Sequence, residues 1–361
     1  MKNKATPDKF LLAGGGTGGH IFPILALART IHEKGHKVFL ITDKRGLAFI
    51  SSKEKSLFEA ISILQTTHFR GALIQKITAL IGFLKSGRRT LSLFQKIAPD
   101  IVVGFGGFVS FWPLLMSFMK RIPSAIYQSD AIVGRVNSLL SRTAKVTFTG
   151  FHQTKKLKCA GKWVGFLTRP SFHQSPYKVR NAKDSLSILV LGGSQGAKIF
   201  SNVLPTAIKT LKRTEQQKII LLQQCRPECI KSTRAAYQKT HIKFSLTSFI
   251  ENMQKALEEA DLVIARAGTS TLGELAKVGR PALLVPYPYA ANQHQKLNAA
   301  QVVIGGGAWM QAQEKFTPTF LAEFITSILE NRKELAEKAK CIQKLNSPNA
   351  TVTMLKTLRT L

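Results

Sequence analysis

Two doubly wound α/β domains, each a parallel sheet flanked by helices, are the fold class that the sequence predicts. Three observations predict it. Short apolar runs alternate with helical patterns along the chain, as βαβ units require. Three of the runs break into glycine loops, Gly14–Gly19, Gly104–Gly107 and Gly192–Ala197. At 361 residues the chain is long enough for two cores, and it restarts the same plan halfway.

The first unit opens on the strand Phe10–Ala13, the loop Gly14–Gly19, His20, and a helical pattern over Ile24–Lys34 with Pro23 near its start and Gly35 closing it. Lys37–Thr42 is a strand ending at Asp43, and Ile61–Leu64 reads as another. Leu73, Ile77, Leu80, Ile81 and Leu84 recur at helical spacing within Phe69–Phe94. Asp100–Val103 feeds the second glycine loop. Ala125–Gln128 is a strand, and Lys145–Thr149 reads as the last of this half. Around Lys162–Pro170 the chain passes Gly165 and Arg169-Pro170 and then turns polar and loop-like to Asp184; that shift marks the boundary, placing the first domain at 1–168 and the second at 169–340. Ser187–Leu191, Lys218–Leu222, Ile242–Phe244, Leu262–Ala265 and Ala282–Val285 are the strands of the second unit, with Ala282–Val285 its last clear one. Helices over Thr319–Leu329 and Arg332–Leu345 follow, and the segment 341–361 is expected to pack back on the first domain.

Charge narrows the partners. Lys and Arg number 52 against 20 Asp and Glu, a formal net charge of +32. Such an excess implies a polyanion or an anionic membrane surface. The basic residues are spread along the chain without an RNP, zinc-finger or basic-helix signature, so no nucleic-acid partner is expected. From Gln65 to Pro99 there is no acid, while Arg70, Lys76, Lys85, Arg88 and Arg89 lie among the apolar residues. That segment reads either as a helix packed on the sheet with a solvated basic face, or as one dipping apolar side chains into a bilayer. Ile101–Met119 is uncharged, close to the ~20 residues of a membrane span, but its glycines and Pro113 fit a strand, a loop and a buried helix better. Cys159, Cys225, Cys229 and Cys341 show no metal spacing and read as reduced, buried thiols.

A strand, a glycine loop and a helix N-terminus together cradle phosphate, because free N–H groups and the helix dipole both favour an anion. His20 is the one titratable group at the mouth of the first loop, and imidazoles exchange protons near neutral pH. Gly14, Gly16 and Gly19 with Asp43 also satisfy a dinucleotide pattern. A dehydrogenase, however, needs one such loop beside a separate substrate domain. Thr269, Ser270 and Thr271 can cap a helix and bond a diphosphate, and Glu274, one turn on, can accept both hydroxyls of a ribose. The plain alternative is an ordinary N-cap with an acid in the next turn. No two Asp are separated by a single residue, so a DxD metal–nucleotide clamp is not expected.

GGGTGGHIFP at 14–23, GFGGFVS at 104–110, GGSQGA at 192–197, FIENM at 249–253, GTSTLGE at 268–274 and VPYPYAANQHQKLNA at 285–299 together resemble the MurG family. These are the peptidoglycan N-acetylglucosaminyltransferases. The resemblance runs in order over nearly the whole chain. It implies a GT-B fold, two Rossmann-like domains facing across a cleft. It implies inverting transfer of GlcNAc from UDP-GlcNAc to the 4-hydroxyl of undecaprenyl-diphospho-MurNAc-pentapeptide (lipid I), giving lipid II. It also implies a peripheral protein on the cytoplasmic face of the bacterial inner membrane, held there through residues 70–89, with other cell-wall and division proteins as partners. No metal or other cofactor is expected.

Residue by residue, the resemblance makes His20 the general base. Donor contacts would come from Thr17, Gly18, Gly19, Asp130, Arg169 and Ser194, and from the Ile250 backbone at the uracil edge. Thr269, Ser270, Thr271, Leu272 and Gly273 would hold the diphosphate, Glu274 the ribose, and His294 with Gln295 the GlcNAc hydroxyls. Gly16, Gly106, Gly107, Ser110 and Asn137 would meet the acceptor. The sequence departs from the family pattern on the acceptor side. Its His-Glu-Gln-Asn is here Tyr127-Gln128-Ser129-Asp130, and its Gly-Asn-Pro-Val-Arg is Gly165-Phe166-Leu167-Thr168-Arg169. Phe111-Trp112 stands in place of Gly-Pro after Ser110, and Asn292 in place of an Asp.

Overall fold

The computed structural model describes residues 7–65, 73–178, 181, 184–193, 196–347 and 349–361, with backbone alone for 73–79. It divides into two units, residues 1–169 with 347–361, and residues 170–346. The chain crosses over one residue later than the sequence suggests. Residues 341–346 finish in the second unit, and only the segment from Ser347 joins the first.

In the first unit, β1 (Lys9–Ala13), β2 (Lys37–Thr42), β3 (Ala60–Ile63), β4 (Ile101–Gly104), β5 (Ser124–Gln128), β6 (Val146–Thr149) and β7 (Gly161–Trp163) form one sheet. Its order is β3-β2-β1-β4-β5-β6-β7, with every pair parallel. The order reverses at β1 and β4, so their carboxyl ends splay and leave room for a ligand. β7 lies beyond the strand expected to be the last. Only three residues long and mostly exposed, it carries no apolar alternation.

Phe10, Leu12, Val38, Leu40, Ile101 and Val103 alternate onto one face of this sheet and pack against Ile21, Ile24, Leu25 and Ala28 of the helix Gly18–Glu33. That helix begins two residues before His20 instead of after it, so Pro23 lies inside it at the sixth position, where its missing N–H removes one backbone bond. The C-terminal helix Ala350–Leu358 covers the same core through Met354, Leu355 and Leu358. Thr30 donates to Thr351 at 2.8 Å across that contact.

The helix Leu73–Ile97 departs from the packed alternative and keeps to the partly exposed one. Its buried side is Ser86, Thr90, Phe94 and Ile97, whereas Leu80, Ile81 and Leu84 are about half exposed, at 51, 47 and 53%. Burial of the hydroxyls is possible because Ser86 donates to the Gly82 carbonyl and Thr90 to that of Ser86. Gly87 lets Trp112 lie against the helix, where its indole N–H donates to the Phe83 carbonyl at 2.8 Å. Among the described residues no helix is long and apolar enough to cross a membrane; 101–119 is β4, a short 3-10 turn and the helix Phe111–Met119.

The second unit repeats the design with β8 (Leu186–Leu191), β9 (Ile219–Gln224), β10 (Lys243–Thr247), β11 (Leu262–Ala265), β12 (Ala282–Leu284) and β13 (Ala308–Met310). The order is β10-β9-β8-β11-β12-β13, again all parallel. β13 extends the sheet past the last strand legible in the sequence. All four cysteines are free thiols; Cys225 and Cys229 are buried, whereas Cys159 and Cys341 are only half-buried, contrary to expectation.

Candidate active site

In the first unit the site is built at the carboxyl ends of β1 and β4. Gly16 sits at φ +86°, a conformation open to glycine, and its N–H donates to Asp43 Oδ1 at 2.9 Å. The same oxygen accepts from Gly46 N–H at 2.7 Å. Asp43 therefore braces the glycine loop and caps the next helical turn. Its carboxylate is buried in that role, which removes the residue that a dinucleotide reading would give to a ribose.

Thr17 is the N-cap of the helix Gly18–Glu33, but its hydroxyl makes no capping bond and is exposed. Gly18 and Gly19 form the first turn, and His20 follows half-buried. His20 Nδ1–H donates to the Gly15 carbonyl at 2.8 Å. A carbonyl can only accept, so this bond fixes a hydrogen on Nδ1, and in the neutral ring the lone pair is then on Nε2. Nε2 lies beside Gly106, where a Cβ would stand 3.2 Å away. Gly106 and Gly107, at φ +98° and +77°, bring the second loop close to the ring without a side chain. The sequence expectation for His20 as a base thus meets a ring whose free nitrogen faces the turn after β4.

Asn137 shares that turn. Its Nδ2 donates to Gln128 Oε1 at 2.9 Å, and Gln128 Nε2 donates in turn to the Ile132 carbonyl at 3.0 Å. Among the described residues Asn137 Oδ1 is buried with no hydrogen-bond partner. An acceptor left in that state asks for a donor from a ligand. Ser110, by contrast, is fully buried and donates to the Gly107 carbonyl at 2.9 Å, shaping the turn from inside. Asp130 is half-buried two residues past β5, its carbonyl accepting from Gln128. Arg169 ends this part of the unit with its guanidinium over the Phe22 ring, 4.7 Å from the centroid.

The remaining expected donor residues belong to the second unit. Ser194 lies outside the described residues. The loop after β11, Arg266-Ala267-Gly268, leads into the helix Thr269–Val278, whose N-cap is Gly268 and therefore offers no side-chain oxygen to its own amides. Those amides stay available to an anion. Thr269 is buried, Ser270 and Thr271 are half-buried, and Ser270 Oγ is buried without a partner among the described residues. Leu272 and Gly273 are buried in the next turn, and Glu274 beside them is 8% exposed. Ile250 is half-buried after β10, ahead of the helix that Asn252 caps through Lys255 N–H.

The segment after β12 supplies the rest. Asn292 and Gln293 both occupy left-handed backbone, φ +53° and +51°, unusual for consecutive residues with side chains. His294 Nδ1–H donates to the Ala291 carbonyl at 2.8 Å, and Gln295 Oε1 accepts from Tyr287 N–H at 3.0 Å. The Gln295 amide N–H groups remain as donors for a sugar.

Arg266, to which sequence reasoning gave no role, braces these loops from within. It is 8% exposed; its Nη1 donates to the Val285 and Pro286 carbonyls, its Nη2 to Gln313 Oε1 at 2.6 Å, and its guanidinium lies over the Phe200 and Tyr287 rings. Burial lowers its pKa from the ordinary arginine value. It ties the loop that begins the Thr269 helix to the loop that carries Tyr287. The one available signal was a cation directly after the apolar strand LVIA.

With this geometry in view, the comparisons with known proteins are decisive. Residues 10–149 match the glycosyltransferase family 28 N-terminal domain, and residues 187–354 the family 28 C-terminal domain. The solved structure of Acinetobacter baumannii MurG superposes with a TM-score of 0.83 at 30% identity, covering 99% of this chain and all of that one. The chain belongs to the MurG family. Relatives in the curated collections carry the name UDP-N-acetylglucosamine–N-acetylmuramyl-(pentapeptide) pyrophosphoryl-undecaprenol N-acetylglucosamine transferase. The one from Rhodospirillum rubrum is 34% identical over 96% of this chain and 90% of its own length. That from Paramagnetospirillum magneticum is 38% identical over 94% and 93%. MurG membership fixes the fold class as GT-B, each unit being one of its two Rossmann-like domains.

Proposed function

We propose that the chain transfers GlcNAc from UDP-GlcNAc to the 4-hydroxyl of undecaprenyl-diphospho-MurNAc-pentapeptide, giving lipid II and UDP with inversion at the anomeric carbon. The observation that carries this is identity of 34 and 38% along nearly the full length of relatives named for that transfer. The site residues fit the chemistry. The acceptor hydroxyl gives its proton to His20 Nε2 as its oxygen forms the new bond to the anomeric carbon. The bond from that carbon to the UDP oxygen breaks, through an oxocarbenium-like transition state. Gly15 O holds the Nδ1 hydrogen throughout, so the ring can take a second proton without turning. Negative charge growing on the diphosphate is met by the free amides at Thr269–Thr271, the helix dipole and Arg169.

The reaction is assigned without a metal. The amides and dipole of the helix Thr269–Val278 and the Arg169 guanidinium supply the positive charge that a leaving diphosphate needs. Labelled UDP-sugars offered with lipid I in the presence of a chelator test both points. Labelled lipid II from UDP-GlcNAc is the expected product. Transfer from a different UDP-sugar in preference would displace the substrate assignment, and loss of activity to the chelator would displace the metal-free one.

The membrane assignment rests on the exposed side of the first unit. Leu80, Ile81 and Leu84 face solvent with Lys85, Arg88 and Arg89 exposed next to them. Phe108, Phe118 and Met119 are exposed as well, and Lys120 and Arg121 follow. Apolar side chains rimmed by cations suit the cytoplasmic face of an anionic bilayer. Replacing Leu80, Ile81 and Leu84 by serine is expected to weaken co-sedimentation with phosphatidylglycerol vesicles roughly tenfold or more, since each buried side chain is worth on the order of 1 kcal/mol or above. Undiminished binding would move the membrane contact elsewhere.

A further inference from the structure

Tyr127, near the end of β5, is 1% exposed and packs against Phe105 with ring centroids 5.7 Å apart. Its hydroxyl donates to the Gly165 carbonyl at 3.1 Å and accepts from Leu167 N–H at 3.2 Å. One hydroxyl thus satisfies two backbone groups on either side of Phe166. The bridged segment has no regular structure of its own, and Gly165 turns through φ +80°. Phe166 is pinned edge-on against Phe151 at 5.0 Å, and Leu167 is buried in the core that holds Tyr127. Two residues later comes Arg169, its guanidinium over Phe22. Phe22 in turn covers Gly18 at the start of the His20 helix, where a Cβ would lie 2.9 Å from its ring. Burial pushes the Tyr127 hydroxyl above the ordinary tyrosine range, so it stays protonated and keeps both bonds.

We propose that Tyr127 is a positioning residue for the donor: its hydroxyl sets the path of Gly165–Leu167 and so holds Arg169 over Phe22, beside the glycine loop, where it meets the diphosphate. The inference rests on the assignment of Arg169 to the donor diphosphate. A loop residue with no helix or strand to fix it depends on such tethers, and removing this one strands a carbonyl and an N–H together.

The test is a double-mutant cycle in the full chain with Tyr127→Phe and Arg169→Ala, reading kcat and KM for each substrate. Phenylalanine preserves the ring packing, and the thermal midpoint reports folding separately. Tyr127→Phe is expected to raise the KM for UDP-GlcNAc about fivefold, which is ~1 kcal/mol, with the KM for lipid I unchanged. In the Arg169→Ala background it should raise it no further. An unchanged donor KM, or the same increase in both backgrounds, overturns the inference while leaving the reading of Arg169 intact. Arg169→Ala with an unaltered donor KM overturns that reading, and the inference with it.

Discussion

Replacing His20 with alanine is expected to slow sugar transfer by about 10²–10⁴-fold, the usual contribution of a positioned general base, while UDP-GlcNAc binding stays near that of the parent. The expectation follows from two contacts. Nδ1–H is committed to the Gly15 carbonyl, and Nε2 is left as a proton acceptor next to Gly106. Alanine removes the acceptor and leaves Ile250, Thr269–Thr271 and Glu274, the residues assigned to the uracil, diphosphate and ribose, as they are. Single-turnover rates and calorimetric titration with UDP-GlcNAc separate the two effects. Full turnover by the variant would remove His20 as the base, and loss of donor affinity alone would recast it as a binding residue. His20→Gln is a useful companion, because its amide oxygen can accept a hydrogen bond without taking a proton to form a cation.

Glu274→Ala is expected to weaken UDP-GlcNAc binding by about 1–3 kcal/mol, or roughly 5- to 150-fold in Kd. Glu274 is buried one turn into the Thr269–Val278 helix, with Leu272, Gly273 and Leu275 buried around it. A carboxylate in that place can accept both ribose hydroxyls, and alanine would leave them without partners. Glu274→Gln keeps the shape but exchanges one acceptor for a donor, so an intermediate loss is expected. Titration with UDP-GlcNAc and with UDP should show the same deficit, since the ribose is common to both. A deficit confined to UDP-GlcNAc would place Glu274 at the sugar instead, and unchanged affinity for both would end the ribose assignment.

The parts of this molecule that were legible in the sequence are those in which local chemistry dictates the backbone. Apolar runs such as Phe10–Ala13 and Leu262–Ala265 can only be buried strands here, and glycine loops directly after them mark the carboxyl ends where anions bind. Which residues of the helix Leu73–Ile97 are buried was less legible. Ser86 and Thr90 are polar by composition, yet each silences its hydroxyl on a carbonyl four residues back and so behaves as a core residue. β7 and β13 are three residues each, too short for alternation to show. Asp43 matched a nucleotide motif by position, but the glycine loop consumes its carboxylate. Arg266 and Tyr127 were hidden for a different reason. Their partners are backbone groups between 19 and 40 residues away, and only the folded chain brings them together.

The most direct measurement is a crystal structure of the chain with UDP-GlcNAc, grown in the presence of a chelator. Electron density is predicted to place the ribose on Glu274, the uracil at the Ile250 backbone and the diphosphate over the amides of Thr269–Thr271. Uridine bound away from Glu274, or donor density that appears only once a divalent cation is restored, would contradict the account.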